Sequence, residues 1–257
     1  MSQDLSGQVA LVTGGSDGIG LATASLLARR GAQVVICGRR QELLDSARAQ
    51  IESEGGKVEA VQLDVTDFAA FEALIQDVAT RHGRLDMLVN NAMSTHYAPI
   101  RKLTLDHWRK DFAVNADAVF IGTKAAMAVM AAQGKGSIVN IASTTAIRAM
   151  ANYSSYSASK AALIQFTAVA AMEGAPQGIR VNAIVPGQVN TAATLDFAKK
   201  APEFAAKTEG AIPMGRGGRP EELAEAIVFM LSDAASYITG VALPVDGGKA
   251  AQLYIPS

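Results

Sequence analysis

Short apolar runs alternate with longer amphipathic segments over most of the chain. The runs at 9–12, 33–37, 58–63 and 136–141 have the length of buried strands, and the segments between them place apolar residues at helical spacing. Strands that alternate with helices of about 15 residues are typical of a parallel sheet, because each parallel connection needs a crossover. We predict an α/β fold in which seven parallel strands form one doubly wound sheet, flanked by helices on both faces, within a single domain at 1–257.

A glycine-rich turn joins the first strand to the first helix. Residues 13–20 read Thr-Gly-Gly-Ser-Asp-Gly-Ile-Gly, and a turn in this position is what a dinucleotide-binding Rossmann domain requires. Gly14 permits a tight turn, Gly18 lets backbone N–H groups approach a pyrophosphate, and Gly20 lets the helix pack close to the sheet. The glycine spacing differs from the usual Rossmann fingerprint, so an ordinary βα turn is the alternative. The candidate cofactor residues of this turn are Gly14, Ser16, Asp17, Gly18, Ile19 and Gly20.

The end of the second strand indicates which dinucleotide is bound. An NAD site carries Asp or Glu about 20 residues after the glycines, where the carboxylate bonds the ribose 2′-hydroxyl. This chain has Arg39 and Arg40 there, and guanidinium groups match a 2′-phosphate in charge and geometry. The sequence therefore favours NADP (NADPH) over NAD. Asp17 opposes this choice, because its carboxylate would repel a phosphate bound close to it.

Polar and small residues end the other strands, at the edge of the sheet where open α/β domains bind ligands. Asp64 follows the third strand, where it either lies near an adenine edge or caps the next helix. Asn91 and Ala92 follow the fourth strand and permit close approach of a cofactor. The turn Pro186-Gly187 follows the sixth strand and leads toward the nicotinamide. The remaining candidate cofactor residues are Asp64, Val65, Asn91, Ala92, Pro186, Gly187, Val189 and Thr191.

Tyr156 and Lys160 lie one turn apart in a segment that has the apolar face of a helix. Asn152 or Ser154 is the predicted cap of this helix. A tyrosine phenol has an ordinary pKa of about 10, and a neighbouring ammonium group is expected to lower that pKa. Such a pair can donate or accept a proton, whereas two surface residues that happen to have this spacing are the alternative.

The ordered set of motifs resembles the short-chain dehydrogenase/reductase family. The match runs from about Gln8 to Gly248 and rests on the order of the motifs along the chain, since each motif alone is weak. Its parts are the glycine turn, Asn90-Asn91-Ala92, Asn115, Ser143, Tyr156 with Lys160, Pro186-Gly187 and Asp246-Gly247-Gly248.

The resemblance implies four catalytic residues. Tyr156 would protonate a carbonyl oxygen in reduction or take the proton of an alcohol in oxidation. Lys160 would lower the pKa of the phenol and hold the nicotinamide ribose, and Ser143 would hydrogen-bond the carbonyl oxygen. Asn115 would hold a water of the proton relay. The sequence itself places this amide among apolar neighbours in a predicted helix over 105–132, which indicates a local kink or a bound water.

The implied function is NADPH-dependent reduction of a small-molecule carbonyl compound, with hydride chemistry supplied by the cofactor. An NAD-dependent alcohol dehydrogenase of the same fold and a cofactor-binding regulator without turnover are the alternatives. The resemblance also suggests a homo-tetramer packed through the long helices that carry Asn115 and Tyr156.

The residues around the catalytic pair indicate a largely apolar substrate pocket. The family usually has glycine at the position of Met93, so a methionine there changes the shape of the pocket. The segment at about 188–219 is long for a connection in a compact domain, and we expect it to form a substrate lid. A small ketone, a β-ketoacyl thioester, a cyclic ketone and a steroid fit about equally. The candidate substrate residues are Met93, His96, Tyr97, Thr145, Tyr153 and Gln188.

Composition narrows the class of protein further. The formal net charge is −1, which argues against a nucleic-acid partner because such proteins present a basic face. The single cysteine and three scattered histidines have no metal-ligand spacing, so no metal site is predicted. The first residues lack a signal pattern, and no apolar run reaches the roughly 18 residues of a membrane span. We therefore expect a cytoplasmic protein without a membrane partner.

Overall fold

The computed structural model describes residues 4–252, so the two ends of the domain predicted over 1–257 lie outside the described residues. The strands within this range are β1 (Val9–Thr13), β2 (Gln33–Gly38), β3 (Lys57–Gln62), β4 (Met87–Asn90), β5 (Gly136–Ile141), β6 (Ile179–Pro186) and β7 (Ala242–Val245). They form one sheet in the order β3-β2-β1-β4-β5-β6-β7, and every neighbouring pair is parallel. The predicted seven-stranded, doubly wound sheet is confirmed.

Helices provide the crossovers that parallel strands need. The helices are α1 (Gly18–Arg29), α2 (Gln41–Ser53), α3 (Phe68–His82), α4 (Leu105–Phe112), α5 (Ala118–Gln133), α6 (Ser154–Gly174), α7 (Ala192–Lys200), α8 (Pro202–Gly210) and α9 (Pro220–Leu231). Both α4 and α5 lie between β4 and β5, and α7 and α8 follow β6 within the segment predicted as a lid.

Alternate side chains of the central strands enter two different apolar clusters. In β1, Ala10 and Val12 pack in a cluster with α1, α2 and α9, whereas Val9 and Leu11 pack in a second cluster with α3, α5 and α6. All four side chains are buried. Burial on both faces is typical of parallel sheets, and it explains why the strands read as continuous apolar runs. The prediction that helices cover both faces is confirmed.

The strand order reverses beside β1, and this reversal positions the functional site. The connections on the two sides of β1 diverge, since β2 and β3 lie on one side of it and β4 to β7 on the other. A crevice opens at such a switch point, outside the carboxyl ends of the strands. The register pairs Leu11 with both Val35 and Leu88, so the segments that follow β1, β2 and β4 emerge at the same edge.

The helical stretch from Leu105 to Gln133 is continuous but not uniform. A π-helical segment, Ala113–Asp117, separates α4 from α5 and contains Asn115, which agrees with the predicted local irregularity. Such segments often occur at functional sites. One 18-residue window of this stretch has a mean hydropathy of 1.3, enough to cross a membrane by length and composition alone. No uninterrupted apolar run of 18 residues occurs here, because Asp117 and Lys124 divide the stretch. The helix α5 packs against α3 and α6, and core helices of this kind meet the same criterion.

The helix that carries Tyr156, α6, begins without a side-chain cap. The predicted caps are wrong. Asn152 has a left-handed backbone (φ 70°), and its Nδ2 donates to the Tyr97 hydroxyl at 2.9 Å instead. Ser154 lies within the first turn, and Tyr153 occupies the cap position. The ring of Tyr153 meets the rings of Tyr97 and Tyr156 edge-on, so aromatic packing fixes the start of this helix.

Candidate active site

A cleft of about 440 Å³ opens at the carboxyl edge of the sheet, and this volume lies within the range of roughly 300–1,000 Å³ found for small-molecule sites. Its wall contains Ser143, Tyr156 and Lys160 together with every candidate cofactor residue except Gly20. Residues that follow six different strands, β1 to β6, therefore meet in one place. Gly20 and Asn115 do not line the cleft, but both contact residues that do.

The glycine turn fits the pyrophosphate of a dinucleotide. Gly14 and Gly18 have positive φ angles of 64° and 53°, a backbone that other residues adopt only with strain. A side chain at Gly20 would collide with the carbonyl oxygen of Gly14 and with Asn91. The N-cap residue of α1, Asp17, makes no side-chain hydrogen bond to the first helical turn. The Asp17 carboxylate therefore does not bond the N–H groups of the first turn, which are the groups that a phosphate-binding turn offers to its ligand.

Asn91 and Thr13 hold this turn against the end of β4. The Asn91 amide donates to the carbonyl oxygens of Thr13 (3.0 Å) and Gly14 (3.1 Å). The Thr13 hydroxyl accepts the backbone N–H groups of Asn91 (2.9 Å) and Ala92 (3.0 Å). Asn91 was predicted as a cofactor residue, and in the structure its side chain stabilises the turn through these hydrogen bonds. Thr13 was not singled out in the sequence, although it ends the first strand.

Three charged residues line the end of the cleft that follows β2. Arg39 and Arg40 are exposed, and Arg40 Nη2 lies 3.8 Å from Asp17 Oδ2. Arg39 forms no ion pair with a carboxylate in residues 4–252. The carboxylate that opposes a 2′-phosphate is therefore partly balanced by one arginine, and the second arginine remains available to an anion.

Asp64 lies in the cleft wall rather than at a helix cap. Its Oδ1 accepts the backbone N–H of Thr66 (2.9 Å) and the Thr66 hydroxyl (2.8 Å). The cap of α3 is Asp67, whose Oδ1 accepts the N–H of Ala70 (3.1 Å). The structure thus excludes the cap alternative for Asp64 and places it beside Val65 in the cleft wall. Its contact with an adenine edge stays a prediction.

Ser143, Tyr156 and Lys160 form the inner end of the cleft. Lys160 is 1 % exposed, and its Nζ donates to the Ile141 carbonyl oxygen at 2.7 Å. The same Nζ lies 5.9 Å from the centre of the Tyr156 ring. The Ser143 hydroxyl accepts the N–H of Thr145 (3.2 Å) and lies 3.0 Å from its hydroxyl. A phenol, an ammonium group and a hydroxyl therefore converge, as the motif order predicts.

The ionisation of this pair differs from the expectation. Burial raises the pKa of Tyr156 to about 12, and the neighbouring Ser143 hydroxyl offsets only part of the rise. Burial also lowers the pKa of Lys160 to about 7. An amine that is only partly protonated is a weak source of the charge that was expected to stabilise a phenolate. The expectation of an acidic phenol is wrong, and Tyr156 holds its proton at neutral pH.

Asn115 is fully buried and connects the cleft to two neighbouring segments. Its Oδ1 accepts the N–H of Ser94 (3.0 Å), and its Nδ2 donates to the Ser94 carbonyl oxygen (2.8 Å). The same Nδ2 donates to the Ser159 hydroxyl (3.0 Å), one residue before Lys160. The amide thus ties the segment after β4 to α6, and its predicted role of holding a water stays a prediction.

Comparison with known proteins identifies the family. A family profile described as enoyl-(acyl carrier protein) reductase matches residues 14–250. This chain belongs to the short-chain dehydrogenase/reductase family. It is 40% identical over 248 residues to 2,5-dichloro-2,5-cyclohexadiene-1,4-diol dehydrogenase of Sphingobium indicum, covering 96% of this chain and 98% of the relative. It is 42% identical over 252 residues to cis-4-hydroxycyclohexanecarboxylate dehydrogenase of Sinomonas cyclohexanicum, covering 98% and 100%.

A solved structure of the family agrees with the fold. A variant of the actinorhodin polyketide ketoreductase with NADPH has a TM-score of 0.91 at 33% identity, covering 97% of this chain and 99% of the other. The resemblance and the Rossmann fold predicted from the sequence are confirmed. The chain is an oxidoreductase of the short-chain dehydrogenase/reductase family that acts on alcohols or ketones.

Met93 is the candidate substrate residue that lines the cleft of this dehydrogenase/reductase. Its side chain is 50% exposed at the mouth, where the family usually has glycine. Tyr153 and Tyr97 lie outside the cleft wall that the described residues form. Both belong to the aromatic row that ends at Tyr156, so ring packing connects them to the tyrosine predicted to be catalytic.

The other three candidate substrate residues also lie outside this wall. Thr145 holds the Ser143 hydroxyl. His96 turns away toward the buried Asp111, and its Nδ1 lies 2.7 Å from Asp111 Oδ1. The Gln188 carbonyl oxygen accepts the N–H of Gly218. Their roles as substrate contacts stay predictions.

Sequence reasoning missed several cleft residues. Gly38 and Ala142 line the cleft immediately before the predicted Arg39 and Ser143, so their place at strand ends is a usable signal. Thr194 also lines the cleft, but it lies on a helix and has no motif to mark it.

Backbone hydrogen bonds join the two ends of the segment predicted as a lid. The N–H of Asn190 donates to the Gly218 carbonyl oxygen at 2.8 Å, and the N–H of Gly218 donates to Gln188 at 2.9 Å. Thr191 caps α7 through a reciprocal pair of bonds with Thr194. Thr191 and Thr194 also line the cleft. The start of the excursion is thus part of the cleft wall, and α7 and α8 extend from this fixed base.

Proposed function

We propose that this protein reduces a carbonyl compound to a secondary alcohol with NADPH, using Tyr156 as the general acid. The observation that carries the proposal is the placement of a protonated phenol beside the Ser143 hydroxyl, at the inner end of a cleft with a dinucleotide turn. NADP is preferred over NAD in this proposal for two reasons. Arg39 has no ion-pair partner among residues 4–252, and β2 is followed by two arginines instead of the Asp or Glu that an NAD site carries there.

The chain's own residues bind, orient and protonate. The cofactor, when bound, supplies the hydride. Gly14 and Gly18 present backbone N–H groups to its pyrophosphate, and Lys160 lies where a nicotinamide ribose would be held. Ser143 donates a hydrogen bond to the carbonyl oxygen, which orients it toward Tyr156. The phenol then gives its proton to that oxygen as negative charge develops there.

The high pKa of Tyr156 supports the reductive direction. An acid must carry its proton before the reaction, and a phenol with a pKa of about 12 does so over the whole physiological range. A base for alcohol oxidation must be ionised first, which this environment disfavours. An NAD-dependent alcohol dehydrogenase is the second candidate, and it is favoured by the fact that the two relatives named above are both dehydrogenases.

Exposed apolar side chains on the segments next to the cleft residues support a substrate of low polarity. Met93, Met150, Leu195 and Phe197 are large hydrophobic residues with between 38% and 54% of their surface exposed. Leu195 and Phe197 belong to α7, which extends from the cleft wall. Both relatives named above carry names of six-membered carbocyclic alcohols. We propose a cyclic ketone or the corresponding alcohol as the substrate class.

We also propose a homo-tetramer in which α5 and α6 pack against a second copy. Phe120 on α5, and Val169 and Met172 on α6, are 49%, 44% and 79% exposed. Exposed apolar side chains on adjacent helices are typical of subunit interfaces. Light scattering on the eluted protein measures the mass, and a monomer would contradict this part of the proposal.

The decisive experiment compares Tyr156→Phe with wild type and with Tyr237→Phe, a matched change at a fully exposed tyrosine. NADPH oxidation is followed with cyclohexanone-type and acyclic ketones, and NADP reduction with the corresponding alcohols. We expect Tyr156→Phe to lower kcat by at least about 100-fold, the contribution of a general acid, while NADPH fluorescence titration gives an unchanged Kd.

Each alternative gives a different result when the same assays are also run with NADH and NAD. Faster turnover with NADH in the wild type would support the NAD-dependent alternative. Absence of hydride transfer with every substrate would support a regulator without turnover. Full activity of Tyr156→Phe would refute the assigned role.

A further inference from the structure

Asp111 on α4 is a carboxylate that the catalytic motifs do not include. It is 0% exposed, and a buried carboxylate is strongly unfavourable unless hydrogen bonds compensate it. Four donors do so. Oδ1 accepts from the Ser94 hydroxyl (2.9 Å) and lies 2.7 Å from His96 Nδ1, while Oδ2 accepts from the backbone N–H of His96 (3.2 Å) and from the Ser155 hydroxyl.

These bonds keep the carboxylate ionised despite its burial. Desolvation acts to raise the pKa of Asp111, but the bonds from Ser155, His96 and Ser94 outweigh it and lower the pKa below the ordinary value. The three donating residues belong to two segments that both line the cleft. A group that is ionised, buried and bonded to both walls of an active site has a larger structural effect than a single surface pair.

Asp111 and Asn115 each form hydrogen bonds both to Ser94, in the segment after β4, and to a serine of α6. Asn115 bonds Ser94 and the Ser159 hydroxyl, and Asp111 bonds Ser94 and the Ser155 hydroxyl. Ser155 and Ser159 are four residues apart on α6, on one face of the helix. Each directly precedes a catalytic residue, since Tyr156 follows Ser155 and Lys160 follows Ser159.

The bonds of Asp111 to Ser94 and His96 connect it to the substrate side of the cleft, and we call them the His96 arm. The bond of Asp111 to the Ser155 hydroxyl is called the Ser155 arm. Ser94 and His96 follow Met93, whose side chain stands at the mouth. The His96 ring is anchored on its other side by stacking on His107, with 4.3 Å between ring centres. The position of the Met93 segment relative to α6 is therefore fixed through one carboxylate.

We propose that Asp111 is a positioning residue of the reaction, which sets the start of α6 under Tyr156 through Ser155 and sets the Met93 segment through Ser94 and His96. The two arms have separable effects. The Ser155 arm controls the placement of the phenol and therefore kcat. The His96 arm controls the wall that contacts substrate and therefore the KM for the ketone. The kinetic part of this inference rests on the proposed function, whereas the structural part does not.

The first test replaces Asp111 by Asn, which keeps the shape but leaves two of the four donors facing an NH₂ group. Asp106→Asn is the matched control, since Asp106 is an exposed carboxylate on the same helix. Hydrogen exchange of intact protein is measured for peptides covering 92–98 and 153–162. We expect faster exchange in both peptides for Asp111→Asn and wild-type rates for Asp106→Asn. Unchanged exchange in Asp111→Asn would overturn the structural part.

The second test separates the two arms kinetically, well below the melting temperature of each variant. Ser155→Ala should lower kcat about tenfold with little change in KM for the ketone. A displacement of about 1 Å at a reacting group costs on the order of 100-fold, and the loss of one of the two ties to α6 is expected to move the phenol by less than that. His96→Ala should raise KM for the ketone severalfold with kcat within about twofold. Asp111→Asn should show both effects, with the Kd for NADPH unchanged.

The outcomes distinguish this proposal from the proposed function. Ser155→Ala remains informative if Asp111→Asn does not fold, because it removes one donor at nearly constant volume. The separable roles would be overturned if all three variants changed kcat and KM to the same extent. They would also be overturned if a lower melting temperature were the only change. A wild type without turnover would refute the proposed function while the exchange rates still decide the structural part.

Discussion

Lys160→Met should make the protein more stable while it removes activity. The pKa of Lys160 is about 7 in the fold and 10.5 in its ordinary state, a difference of about 3.5 pKa units. At 1.36 kcal/mol per unit this corresponds to at most about 5 kcal/mol. Methionine has a similar length and no charge, so it removes this penalty. It also leaves the Ile141 carbonyl oxygen without its 2.7 Å partner, which costs about 1–3 kcal/mol.

The sign follows from the state of the amine in the folded and unfolded chain. Above pH 10.5 the amine is neutral in both, so it contributes nothing to the free energy of unfolding. As the pH falls from 10.5 to 7, the unfolded chain binds the proton and the folded chain does not. The wild type therefore loses up to about 1.4 kcal/mol per pH unit in this window. Below pH 7 both states are protonated and the penalty is constant.

Urea unfolding at pH 7, 8 and 9, at one protein concentration, measures this effect. The stability gained by Lys160→Met should grow as the pH falls, by up to about 3 kcal/mol between pH 9 and pH 7. Lys124→Met is the control, because Lys124 is an exposed lysine of α5, and its effect should stay within about 0.5 kcal/mol at every pH. The other titratable groups are the same in the wild type and in each variant, so their contributions cancel in the stability difference. A stability difference that is independent of pH would refute the reasoning.

Two further predictions concern the cofactor. Arg39→Ala should lower kcat/KM for NADPH by about 10- to 100-fold, the effect of losing one charge-assisted hydrogen bond to a phosphate, and should leave kcat/KM for NADH nearly unchanged; an equal fall with both cofactors would contradict the phosphate contact. Asp17→Asn should lower the KM for NADPH a few-fold, because it removes a repelling charge and releases Arg40 from its 3.8 Å pair. The KM for NADH serves as the internal control, and a higher KM for NADPH would be the contrary result.

The position of the cleft could be predicted because strand ends carry the information. Ser143, Asn91 and Pro186 each follow an apolar run, and the carboxyl ends of parallel strands meet at one edge. Knowing the strand boundaries to within a residue or two was therefore enough to bring together segments far apart in sequence. Met93 was located by the same argument.

The hydrogen bonds that support the cleft could not be predicted in this way. Thr13 and Asn91 are 78 residues apart, and Asp111 and Ser155 are 44 apart. None of these pairs has a local spacing that marks it, because partners on different elements meet only after the elements pack. His96 illustrates the consequence. Its position near the catalytic residues suggested a substrate contact, whereas the buried carboxylate of Asp111 turns its ring away from the cleft.

Tyr156 and Lys160 show which properties of a residue pair follow from the motif and which follow from the fold. A spacing of four residues on a helix brings Lys160 near the Tyr156 ring wherever the helix lies. The charge on the amine depends instead on its surroundings, and here these are the end of β5 and the interior of the cleft. Burial acts on the two groups in opposite directions, because it disfavours phenolate and ammonium alike. The phenol therefore keeps its proton, and the same sequence motif on an exposed helix would give a more acidic tyrosine. In the proposed reaction, the enclosed cleft thus keeps the proton on the phenol, and the motif supplies the two residues whose pKa values the cleft changes.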